Sequence, residues 1–225
     1  MGIVVLCGVL GFGVIILMIE KGKSGGSRRP SARMTNERGI FLDKRLEQKK
    51  GSRLGFKQRR FIAKNIGLYH WVPADLMGAW EERILVFLDQ FPISHMKQGK
   101  ATEEMRLLVA AEACLLIVRR PLSDYRHLQV VHLWKDEIVG SEDARGTATR
   151  HEVNISWSYL KKTIRNARDG HNLTLHEFAH LIDFADDGVA QSIPVSAHSE
   201  DHKEWQTLVD QEHARLMQAY ESGKN

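Results

Sequence analysis

His176, Glu177, Phe178, Ala179 and His180 form an H-E-x-x-H run, the stretch of this chain best suited to chemistry. Four residues apart on an α-helix, the two histidines stand one above the other, so both imidazoles can offer a nitrogen to one Zn²⁺. Glu177 lies one residue off that pair, where it can take a proton from a zinc-bound water rather than bind the metal. Zinc would supply most of the activation, lowering the water's pKa to about 7 and polarising a substrate carbonyl. With 11 His in 225 residues, chance would put such a run in roughly 0.04 of shuffled chains, so the surroundings have to agree as well. They do: Leu173, Leu175, Leu181 and Ile182 set apolar side chains around the histidines, and Asn172 stands where an N-cap would open the helix.

Such a motif needs a packed domain to hold it. The spacing predicts a core helix over 102–120: Thr102 is the N-cap candidate, Glu103 and Glu104 fill the first turn, Arg119 and Arg120 the last, and Pro121 follows. Its middle, Leu107 to Val118, is almost wholly apolar and needs neighbours on most sides. A second helix is expected over 80–91, with Trp80, Ile84, Phe87, Leu88 and Phe91 on one face and Pro92 as its stop. Residues 39–64 mix basic and apolar residues at helical spacing. Short strands are expected at 128–133 and 153–157. A polar loop over 186–203 and a last helix over 204–220 complete the reading, with His198, His202 and His213 there, and His132 in the first strand, ligand candidates by residue type only.

Charge divides the chain. Between residues 20 and 70, Lys and Arg number 15 against 4 Asp and Glu, whereas the remainder is acidic. Residues 2–19 form an apolar run without a charge, about 27 Å long as a helix and close to the thickness of a bilayer's hydrocarbon core. No Lys or Arg precedes the run and no small-x-small site closes it, which argues against a cleaved signal peptide. The expected organisation is therefore a single-pass transmembrane helix over 1–19, a flexible basic tether over 20–38, and one domain over 39–225. Lys21, Lys23, Arg28, Arg29 and Arg33 follow the span, so the positive-inside rule puts the domain on the cytoplasmic side of an inner membrane. The basic block lacks the aromatic interleaving of a single-strand binder and any DNA-reading motif, so direct nucleic-acid binding is not expected. Cys7 and Cys114 are too few for a disulfide framework and read as small apolar residues.

The stretch from Thr102 to Leu116 (TEEMRLLVAAEACLL), the short strand ahead of Ile138 and Val139, and the run from His171 to Asp183 (HNLTLHEFAHLID) together resemble the Mlc titration factor A family of zinc-dependent peptidases, from about Trp80 to the C-terminus. The resemblance implies an α+β, mainly helical domain with a small sheet and a gluzincin-like zinc site. It also implies peptidase activity and, in some members, binding to a glucose-responsive transcriptional repressor. By the same resemblance His176 and His180 are the zinc ligands and Glu177 the general base. Asp183 matches the acid that follows the motif; it shares a helix face with both histidines, where a carboxylate could orient a ligand imidazole or simply end the helix.

The third ligand that the resemblance implies is a Glu on a later helix, in a stretch this chain lacks before Asn225, so the expectation is a C-terminally incomplete domain. Within the chain the best substitute is Asp186, ten residues after His176, a position that usually needs a glycine turn where Asp183 stands. Glu200, Asp201, His202, Glu204 and His213 have no spacing argument. Two functions remain in view: a membrane-tethered zinc peptidase acting on a peptide or protein, or a regulator of low or no catalytic power that binds a repressor or another protein partner. Glu177 favours the enzyme, because a structural zinc site needs no carboxylate beside its ligands.

Overall fold

A computed structural model describes residues 37–97, 99–138, 144–167 and 170–187, with scattered positions between 207 and 222. The apolar run over 2–19 and most of the tether lie outside these residues. Among the described residues no helix is long and apolar enough to cross a membrane.

The basic segment forms two helices, α1 (Glu37–Gln48) and α2 (Phe56–Asn65), joined through Gly51, whose φ of 79° is left-handed. A 3₁₀ turn, Gly67–Trp71, leads to α3 (Ala74–Gln90). This helix begins six residues ahead of the expected start, directly after Pro73, whose fixed φ suits the entry to a helix. Strand β1 (Ile93–His95) follows. The central helix α4 (Glu103–Leu116) opens as expected: Thr102 Oγ1 accepts from Met105 N at 3.2 Å. It stops four residues earlier than the sequence suggests, because Ile117 leaves the helical region at φ −112° and ψ 14°.

Past a second 3₁₀ turn, Leu122–Tyr125, come β2 (Val130–Trp134), β3 (Gly146–Ala148), β4 (Glu152–Ser156), the short α5 (Trp157–Thr163) and α6 (Leu173–Asp187). The sheet order is β1-β2-β4-β3. Strands β1, β2 and β4 run parallel, with Ile93, Val131 and Val153 in register, and β3 lies antiparallel on β4 at the edge. The fold is mainly helical with this small mixed sheet, in agreement with the sequence.

Burial explains the arrangement. Helix α4 buries every residue from Leu107 to Leu116, so it can only lie at the centre. Two side-chain bonds fasten it: Trp80 Nε1 donates to the Ala111 carbonyl at 2.8 Å, and the Tyr125 hydroxyl donates to the Ala113 carbonyl at 2.7 Å. Around it Phe87, Phe91, Tyr125 and Phe178 form an aromatic cluster, with Tyr125 and Phe178 rings 5.4 Å apart in an edge-to-face pose. Phe178 is the third residue of the H-E-x-x-H run. The motif is therefore anchored in the core by its own middle.

Candidate metal centre

Helix α6 carries the site. Its inward face is Leu175, Phe178, Leu181 and Ile182, all buried, and that stripe fixes the helix's rotation. His176 and His180 are turned off the stripe and stay half-buried, whereas Glu177 is only 4% exposed. The chain enters the helix through Gly170, at φ 70°, and Asn172, whose Oδ1 accepts from Leu175 N at 3.0 Å. Asn172 is thus the N-cap that the sequence predicts.

The two imidazoles meet with Nε2 atoms 3.3 Å apart and rings nearly perpendicular, at 89°. Two nitrogens each about 2.0–2.1 Å from one zinc, at the tetrahedral angle, lie about 3.3–3.4 Å apart. The pair therefore fits the metal. Burial lowers the pKa of both histidines, and His176 lowers that of His180 further, so both tend to the neutral form that leaves a ring nitrogen free to ligate. Without a metal, the same separation suits a hydrogen bond in which one Nε2–H donates to the other Nε2, and a metal would replace that proton.

Beside them, burial pushes the Glu177 carboxyl up to about 7. Strand β3 lies directly against it. A Cβ added at Gly146 would fall on Glu177 Oε1, 2.8 Å from its Cδ and 2.7 Å from Leu173 Cδ1. Only a glycine lets the edge strand approach the carboxylate so closely. Gly146 is a residue that the sequence reading passed over.

The other candidates fall differently. Helix α6 continues through position 183 without a turn, which sets Asp186 about 15 Å along the axis from His176. The side chains of Asp183 and Asp186 lie outside the described residues, as do His198, Glu200, Asp201, His202 and Glu204. His213 is helical and exposed. His132 is engaged in the sheet, its Nδ1 2.8 Å from Ser94 Oγ across the β1–β2 pair. Among the described residues no group of three His, Cys, Asp or Glu side chains could hold a metal. The sequence reading also passed over Glu112, fully buried in α4, whose Oε1 accepts from Asn172 Nδ2 at 2.5 Å. Its signal was visible, an acid inside an otherwise apolar stretch.

No solved structure matches the chain. An uncharacterized protein of Synechocystis sp., slr2042, is 25% identical, over 63% of this chain and 57% of its own length, so the match spans little more than half of that relative. The sequence model of the glucose-regulated metallo-peptidase M90 family matches residues 42–225. That match takes in the core helices, the sheet and the helix bearing His176, Glu177 and His180; the chain belongs to this metallopeptidase family.

Proposed function

We propose that the protein is a zinc-dependent peptidase in which His176 and His180 hold the metal and Glu177 is the general base. The observation that carries this is the 3.3 Å separation of the two Nε2 atoms, the spacing of two ligands on one tetrahedral ion, beside a desolvated carboxyl. Bound zinc would supply Lewis-acid polarisation of the scissile carbonyl and acidify the attacking water. The chain's own residues do the rest. Neutral His176 and His180 offer their ring nitrogens, while Glu177, with its pKa near 7, takes the water's proton and returns it to the leaving amine.

The edge strand suits a peptide substrate. Strand β3 is last in the order β1-β2-β4-β3 and lies against the base at Gly146, so an extended peptide added along its outer edge, which pairs with no strand among the described residues, would run past Glu177. A gluzincin-like third carboxylate, from a later segment, would complete the ligand set. The uninterrupted α6 speaks for such a ligand rather than for Asp186. For location, the uncharged run over 2–19 and the basic residues after it support a membrane-tethered domain on the cytoplasmic side.

Metal analysis with peptide-library cleavage tests the reading. The parent should carry one zinc per chain and hydrolyse peptides, and His176→Ala/His180→Ala should lose both. Zinc retained at full stoichiometry in the double variant overturns it.

A further inference from the structure

Glu112 is the one acid in the stretch of α4 from Leu107 to Leu116, every residue of which is buried, and it is 0% exposed. A buried carboxyl persists only where its hydrogen bonds offset the lost water. Both groups on it come from the start of α6. Asn172 Nδ2 donates to Glu112 Oε1 at 2.5 Å across 60 residues of sequence. Thr174 lies against the same carboxyl and favours its charged form, yet Glu112 Oε2 and Thr174 Oγ1 do not reach full hydrogen-bond geometry and both stay unsatisfied.

The Asn172 amide is used at both ends. Nδ2 meets the carboxylate, Oδ1 caps Leu175 N, and the backbone carbonyl accepts from His176 N at 3.0 Å. Rotated by half a turn, the amide would face oxygen to carboxylate and NH₂ to N–H, so Glu112 selects the orientation that caps the helix. A carboxylate at a helix N-terminus is also favoured by the aligned peptide dipoles.

We propose that Glu112 is a positioning residue for the metal centre: through Asn172 it fixes the first turn of α6, and with it the height and rotation at which His176 and His180 face one another. The inference rests on the reading of those histidines as metal ligands. It is distinct from that reading, because Glu112 acts on the helix whether or not metal is bound.

Two measurements on the full chain test it. One is zinc affinity by competition with a chelator, and the other is amide hydrogen exchange at Leu175 and His176 in the metal-free protein. Glu112→Leu should weaken zinc binding about ten-fold, the weight of a lost group that orients a ligand, and lower exchange protection at those amides by about as much while β2 stays protected. In Glu112→Gln, Oε1 still accepts from Asn172, so the link to the first turn of α6 is kept and both readouts should stay within about two-fold of the parent. Asn172→Ala should match Glu112→Leu, and the double variant should be no worse than either, because both remove one link. Parent-like affinity and exchange in a folded Glu112→Leu overturn the inference, and where that variant does not fold, parent-like behaviour of Asn172→Ala does so. A parent that binds no zinc overturns the metal reading instead, and the exchange measurement still decides the role of Glu112.

Discussion

Glu112 and Glu177 have one property in common and differ in the rest. Burial pushes both carboxyls up to about 7. Glu112 is enclosed on every side and takes a 2.5 Å hydrogen bond from Asn172. Glu177 has no hydrogen-bond partner among the described residues and lies against the backbone of β3 at Gly146. A raised carboxyl pKa therefore marks desolvation, not catalysis. What separates the anchor from the base is that one oxygen of Glu112 is already held by a side chain of another helix.

The sharpest way to break that contrast is Glu177→Gln. Gln keeps the shape but cannot take a proton, so hydrolysis should fall by on the order of 10²–10⁴-fold with zinc retained. Steady-state kinetics beside metal analysis decides it, and parent-like turnover would make Glu177 a second anchor. For Glu112 the expected signature is in stability rather than rate. Its folded pKa lies near 7 against an ordinary 4.5, so between these values the folded state holds a proton that the unfolded chain has released. The parent should lose stability as pH rises through this window and regain none above it. Glu112→Gln lacks that loss and should gain on the parent by up to roughly 3 kcal/mol between pH 4 and pH 8, read by urea unfolding of the metal-free protein. Parallel curves would mean that the carboxyl is not desolvated.

Gly146→Ala addresses the strand's part. The added methyl must push the Glu177 carboxylate aside, and a displaced base should lower kcat by on the order of ten- to hundred-fold while zinc stays bound. Least affected should be Thr163→Val. Thr163 Oγ1 accepts from Leu173 N at a long 3.4 Å, so its loss should cost less than about 1 kcal/mol in urea and leave zinc affinity unchanged. A large effect on affinity there would spread the anchoring of α6 beyond Glu112.

Much of this was legible in the sequence, and the reasons differ by element. Thr102 and Asn172 announced two helix starts because capping is a local affair, settled within three residues. The histidines at i and i+4 fixed their own proximity once α6 was a helix. Strands β1 and β3 were missed, since three residues each leave no alternation to count, and their identity comes from partners 38 positions away for β1 and 5 to 9 for β3. Gly146 and Glu112 were missed for a related reason. One matters for what a side chain would have struck and the other for a residue 60 positions distant, and neither relation is written in a window of neighbouring letters.

That 60-residue reach also orders events during synthesis. Helix α4 leaves the ribosome well before α6, so the partner of Glu112 and the apolar stripe of Leu175, Phe178 and Ile182 arrive only after the central helix has been waiting with the face they will cover still exposed. At about 5–20 residues per second the delay is on the order of several seconds, during which the side of this buried stretch that α6 will cover is open to any other unfinished chain. The carboxyl in that stretch is then still hydrated and charged, and it interrupts what would otherwise be an unbroken adhesive strip.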